Sequence, residues 1–156
     1  MGSRKVRGFS KNWGQVTAVG YRILVHICND KQILNQKLSQ MDPQKNRERC
    51  LLYLKKYGEK DLKSMEQLFA EDIVLRDWKI RVIGKDLALS ETRKNFESAD
   101  SIAIDVLHTH AEGDTVVAEL KITVDGPEEL YVVDIIQFNS EGRISDIRAY
   151  LGRGDD

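Results

Sequence analysis

The chain has 156 residues, 41% of them hydrophobic and 31% charged, with a formal net charge of −1. That balance fits one globular domain with an appendage, and no apolar run approaches the ~20 residues of a membrane span. The longest run near the start, Ile23 to Cys28, is too short and too late for the core of a secretory signal, so a cytoplasmic location is expected. Cys28 and Cys50 lie outside any metal or redox spacing and read as free thiols.

Charge divides the chain unevenly. Residues 1–41 hold seven Lys/Arg against the single acid Asp30, net +6, whereas residues 42–156 hold 17 bases against 24 acids, net −7. The first segment has little periodicity, with Ile23 to Cys28 and Ile33 to Leu38 as its only short candidate elements. It is expected to be a basic, weakly ordered extension. It lacks the interleaved aromatics of an RNA-binding module, so nucleic acid is not expected as a partner. Met41 stands directly before the first regular element, which suggests that residues 1–40 derive from an upstream start codon and lie outside the functional unit.

From Asp42 the pattern becomes regular. Asp42 can cap a helix that opens on Pro43, with Cys50, Leu51 and Leu54 as its apolar stripe and Gly58 as its stop. Leu62, Met65, Leu68 and Phe69 recur at helical spacing in a second helix, followed by a strand ending near Trp78 and a short one over Ile80 to Ile83. A third helix is expected from Gly84 to about Glu97. Four strands close the chain, over Ile102 to His110, Thr115 to Val124, Leu130 to Phe138 and Arg143 to Leu151, with Gly113, Gly126 and Gly142 at the turns between them. Helices first and an antiparallel meander afterwards predict an α+β fold, with three helices on one face of a curved, mostly antiparallel sheet.

Three polar residues interrupt this pattern. Period-2 alternation puts Asp134 on the face of Leu130, Val132, Ile136 and Phe138, and puts Asp77 with Ile73 and Leu75 while Arg76 points the other way. Tyr53 falls within the first helix. A core-facing carboxyl must be paired, protonated or functional, because burying an isolated carboxylate costs several kcal/mol, about the margin of a small domain. Two carboxyls opening into one cavity can be driven to different protonation states, one a base and the other a donor. For Asp77 the bland alternative is a solvent-exposed strand end, and for Tyr53 an aromatic filling the helix–sheet interface.

The phrases LFAEDIVLRD after the second helix, VIGKD opening the third and VVDIIQFNSEGRISDIRAYLG at the end resemble the nuclear transport factor 2-like superfamily, with its cone-like fold. Within it, residues 42–156 are similar to the ketosteroid isomerases and the SnoaL-like polyketide cyclases. The resemblance implies three roles. Asp77 falls on the catalytic base, Tyr53 on the helix tyrosine and Asp134 on the protonated aspartic acid that, with the tyrosine, binds the developing enolate oxygen. Ketosteroid isomerase is itself the reference example of this division of labour between carboxyl groups. The resemblance further implies a cofactor-independent isomerase of the steroid delta-isomerase type, a homodimer formed through the outer sheet face, and a small apolar carbonyl substrate.

The sequence departs from that pattern at several positions. Phe69 and about Thr92 stand where the isomerases carry supporting tyrosines, leaving Tyr57, one turn beyond Tyr53, as a partial substitute. Trp78 follows Asp77 where proline is common, and Leu151 replaces a bulky aromatic that closes the pocket. The pocket is expected to be lined by Phe69, Leu75, Trp78, Val132, Ile136, Phe138, Leu151 and His108, the last by its alternation with Ile102, Ile104 and Val106. His108 and His110 share a strand face without a third ligand at metal spacing, so no metal is expected. Arg76 and Arg93 could enter the Asp-Arg-Asp arrangement of epoxide hydrolases with this fold, although Arg76 should face away from Asp77. A noncatalytic ligand-binding or protein-interaction domain is the alternative function. Because the capped helix begins a self-sufficient apolar pattern, deleting residues 1–40 is expected to leave the melting temperature within a few degrees of the full chain's; a larger fall in a thermal melt would refute this.

Overall fold

The computed structural model describes residues 42–154. The expectations for residues 1–41, including the free thiol of Cys28, lie outside the described residues. The first helix, α1 (Pro43–Gly58), starts as its sequence requires: the Asp42 carboxylate accepts from the Gln44 amide, and Pro43 occupies the first turn. Its buried stripe is Asn46, Cys50, Tyr53 and Leu54. Leu51, expected in that stripe, is 37% exposed, because it lies one residue round the helix from Cys50. Gly58 is the last helical residue, and the amide of the following Glu59 donates to the Lys55 carbonyl and that of Lys60 to the Tyr57 carbonyl.

The short helix α2 (Leu62–Leu68) is capped by Asp61 and buries Met65. Phe69, expected at the end of this helix, instead opens β1 (Phe69–Arg76), so that strand begins four residues before Ile73 and ends before Asp77. A tight turn carries Asp77 and Trp78 into β2 (Arg81–Ile83), and α3 (Lys85–Ser98) follows Gly84. The remaining strands are β3 (Ile102–Glu112), β4 (Thr115–Val124), β5 (Glu128–Phe138) and β6 (Ile144–Leu151). Gly113, Gly126 and Gly142 all adopt positive φ at the turns where the sequence places them.

The six strands form one sheet in the order β2-β1-β6-β5-β4-β3, antiparallel throughout except for the parallel pair β1 and β6. This is the expected α+β arrangement, with the helices packed on one face. α1 lies against β3 and β4, α3 against β1, and α2 bridges the two longer helices. The core between the layers is built from Cys50, Met65, Phe69, Ile73, Leu120, Ile136 and Ile147, each almost wholly buried. Among the described residues, no helix is long and apolar enough to cross a membrane.

One polar staple ties the layers together. Asn46, buried within α1, donates to the Gly113 carbonyl at 3.1 Å in the β3–β4 turn and accepts from the Arg49 guanidinium at 2.9 Å. Both bonds are lost in Asn46→Ala, which also orphans part of the turn. The expected cost is about 2 kcal/mol, read as a lower midpoint in denaturant unfolding with the slope unchanged. A midpoint equal to wild type would mean that the turn is held by its own backbone alone.

Candidate functional site

A cavity of about 240 Å³ lies between α1, α3 and the inner face of the sheet. Tyr53 and Tyr57 of α1 and Thr92 and Asn95 of α3 form its helical wall, and alternate residues of β3 to β6 form the opposite wall. The turn Asp77–Ile80 stands at its rim with Trp78, which is 41% exposed. Tyr53, Asp77 and Asp134 therefore line one cavity, together with the expected Leu75, Trp78 and Val132.

Asp134 occupies the position that its strand pattern dictates. Val132, Asp134, Ile136 and Phe138 are all buried, and Asp134 is only 7% exposed. Its neighbours across the ladder are Ala118 on β4 and Ala149 on β6. Two methyl groups flank the carboxyl where larger side chains would fill the cavity, and neither can donate a hydrogen bond. Burial pushes the Asp134 pKa from 3.8 up to about 7.

Tyr53 is 5% exposed. Burial, and after it the negative field of Asp134, raises its phenol well above the ordinary value, so it remains a hydroxyl donor. Tyr57 is raised too, by burial first, while a hydrogen bond from Asn95 acts in the opposite sense and Asp134 and Asp77 both add to the rise. Its ring stands edge-on to Tyr53 at 5.9 Å and to Phe96 at 4.9 Å. Cys50 is pushed up to about 12 by burial and by Asp134, which leaves it an inert thiol.

Asp77 has a different environment. One carboxylate oxygen accepts from the amides of Lys79 at 2.6 Å and Ile80 at 2.8 Å, while its own amide donates to the Ile80 carbonyl. This turn fixes the carboxylate at the cavity rim, half-buried, and its second oxygen accepts from none of the described residues. The two carboxyl groups thus differ in kind, one in an apolar strand and one in a polar turn.

Five of the expected pocket residues lie elsewhere. Phe69, Ile136 and Phe138 are packed in the core beside the cavity, with the Phe69 ring 6.2 Å from that of Tyr53. Leu151 lies at the end of β6, 47% exposed and off the cavity wall. His108 is on the opposite face of the sheet. A bulge between Val106 and His108 adds one residue to β3, so Val106 pairs with the buried Leu120 but His108 pairs with the exposed Glu119 and meets its carboxylate at 2.9 Å. No cluster of three or more metal-ligating side chains occurs among the described residues. The residue not anticipated is Asn95, three positions after Thr92 on the same face of α3, a helical spacing that could have revealed it.

The model of the SnoaL-like domain matches residues 52–147. The chain belongs to the SnoaL-like domain family. Solved structures agree on the nuclear transport factor 2-like fold. A candidate ketosteroid isomerase from Kribbella flavida superposes with a TM-score of 0.65 at 18% identity, over 74% of this chain and 84% of that one. The epoxide hydrolase/cyclase-like enzyme SalBIII, with a role in pyran ring formation in the polyether salinomycin, gives 0.64 at 23% identity, over 72% and 94%. An epoxide hydrolase of M. tuberculosis gives 0.63 at 15% identity, over 70% and 84%. The comparison with curated proteins finds no match. In this SnoaL-like chain Arg76 points away from the cavity, stacks 4.7 Å above the Tyr150 ring and bonds its hydroxyl, while Arg93 lies in a groove beside α2.

The raised pKa of Asp134 has a defined sign. Below pH 3.8 the carboxyl is protonated in both folded and unfolded chains; between 3.8 and about 7 only the folded chain keeps the proton. Stability therefore falls as pH rises through that window, by about 1.4 kcal/mol per unit for this group. Asp61, Glu71 and Asp114 have lowered pKa values and act in the opposite sense, lending stability that is lost in acid. The difference between wild type and Asp134→Asn isolates Asp134. The variant is expected to match wild type near pH 4 and to exceed it by several kcal/mol at pH 8 in denaturant unfolding; parallel profiles would refute the buried acid.

Proposed function

We propose that this cavity moves a proton α to a carbonyl in a small apolar substrate. The single observation that carries the reading is the convergence of Tyr53, Asp77 and Asp134 on one cavity, with the two carboxyls in opposed environments. The substrate oxygen would rest between the Tyr53 hydroxyl and the protonated Asp134, both neutral donors below pH 7. Asp77, fixed by two amides at the rim, would take the α proton and return it at a second carbon. Electron density would then pass into the carbonyl oxygen, whose growing negative charge is met by donors already in place and shielded from water.

Only protonated Asp134 can donate, since the ionised carboxylate is an acceptor alone, so activity should decline as pH rises through about 7. The similarity to a candidate ketosteroid isomerase supports carbonyl chemistry of this kind. The epoxide-hydrolase reading is less favoured, because Arg76 and Arg93 both lie off the cavity. A homodimer through the outer sheet face accords with the exposed Val133 and Tyr150 there, and sedimentation of the full chain would test it.

Deuterium exchange into a panel of cyclic enones and ketosteroids tests the activity directly. Asp77→Asn is expected to lower the exchange rate on the order of 100-fold or more, and Tyr53→Phe by a comparable factor. If wild type exchanges no ketone faster than Asp77→Asn does, while apolar ligands still bind, the domain is a binding module.

A further inference from the structure

Tyr57 is the polar group of the cavity that the proton transfer leaves unused. It lies four residues beyond Tyr53 on α1, so the two side chains leave the same face about 6 Å apart along the axis. Its ring is held edge-on between Tyr53 and Phe96, at 5.9 and 4.9 Å, and the hydroxyl cannot swing far. Asn95 donates to that oxygen at 3.2 Å. A phenol has one proton to give, and here the amide occupies a lone pair and leaves the proton for another acceptor. Tyr57 donates to no atom among the described residues.

The position of this donor relative to the carboxyls is informative. Tyr57 feels both Asp134 and Asp77, whereas Tyr53 feels Asp134 alone of the two. The Tyr57 hydroxyl meets the exposed Asn95, whereas Tyr53 and Asp134 are both buried, so Tyr57 lies towards the rim from the oxygen seat that they form. A substrate with a single carbonyl on that seat would bury the Tyr57 hydroxyl against carbon, stripping a donor of water without replacing its acceptor. The surrounding wall of Ile102, Ile104, Ile122 and Val132 offers no substitute.

We infer that Tyr57, positioned by Asn95, donates to a second substrate oxygen one helical turn from the reacting carbonyl, which makes the substrate a dioxygenated compound with an otherwise apolar frame. This rests on the assignment of the first oxygen to Tyr53 and Asp134. It adds a specificity residue on α1 and a positioning residue on α3. Discrimination follows from the cost of an unmatched buried donor, which rejects a ligand lacking the oxygen more strongly than an apolar wall can reject a methyl group.

Two near-isosteric probes separate the outcomes: 4-hydroxycyclohex-2-enone and 4-methylcyclohex-2-enone, titrated into the full chain by ligand-observed NMR. Wild type is expected to prefer the hydroxy compound. Tyr57→Phe, which keeps both ring contacts, should weaken the hydroxy compound roughly tenfold and tighten the methyl compound, because no donor is then left unmatched against carbon. Asn95→Ala should reduce the same preference in part, and thermal melts of both variants verify folding. The inference is overturned if wild type does not bind the hydroxy compound or shows no preference, or if Tyr57→Phe weakens both probes alike. The last outcome would place Tyr57 on the first oxygen. Tyr53→Phe should weaken both probes equally; if it affects neither, the first oxygen seat is misplaced. Because the readout is binding, a wild type that exchanges no ketone faster than Asp77→Asn would leave this result standing by itself.

Discussion

A carboxyl group held in an apolar strand, without a charged partner among the described residues, is the constraint around which this domain is arranged. Asp134 lies on β5, which is paired on both sides, and its cross-strand neighbours are alanines. Its charge can be relieved in the folded state by keeping the proton, since among the described residues no cation of the cavity wall is placed to neutralise it there. The fold tolerates this because the surrounding core is otherwise apolar and well filled, from Met65 and Phe69 on the helical side to Leu120 and Ile136 on the sheet. The same low-dielectric environment that keeps Asp134 neutral also raises Tyr53, Tyr57 and Cys50, so the cavity's inner groups are predominantly proton donors at neutral pH.

Small side chains make the space. Ala118 and Ala149 beside Asp134, with Thr92 and Ala99 on the helical side, stand where bulkier residues would close the gap between the layers. Thr92 satisfies its hydroxyl within α3 by donating to the Ala88 carbonyl at 2.8 Å, so it presents its methyl group as packing surface instead of competing for a ligand. Polar character is thereby confined to a few points: the two tyrosines, Asn95, Ser98, Asp134 and the Asp77 turn. An apolar cavity with a few convergent polar groups selects by the spacing of those groups more than by overall affinity.

Legibility from sequence followed the regularity of the backbone. Alternation on β5 identified Asp134 as buried because the β4–β5 ladder runs from Thr115 to Val124 without a register shift. The same reasoning failed for His108, since a single bulged residue in β3 reverses which face every later side chain occupies. Ile136 and Phe138 share a face with Asp134 but lie beyond the cavity's end, because sharing a face does not fix position along a strand. Phe69 satisfied both a helical and a strand pattern, and backbone pairing with Ile144 decided for the strand. The Asp77 turn was readable only as a strand end; its two amide hydrogen bonds depend on backbone geometry that no periodicity encodes.

Strand parity also bears on which chemistry the scaffold can host. Arg76 immediately precedes Asp77, yet alternation sends it to the outer face, where Tyr150 holds it by stacking and by a hydrogen bond. Bringing this guanidinium between the two carboxyls would need a one-residue slip of β1. Leu75 is paired with Val82 on one side and Ile147 on the other, so such a slip would also drive its side chain out of the cavity wall and break both ladders. A cation between Asp77 and Asp134 would favour ionisation of both carboxylates, whereas the observed arrangement leaves Asp134 protonated. The proton transfer proposed for this cavity would need neutral donors, and the direction of a single arginine keeps a cation away from Asp134 as much as the apolar strand does.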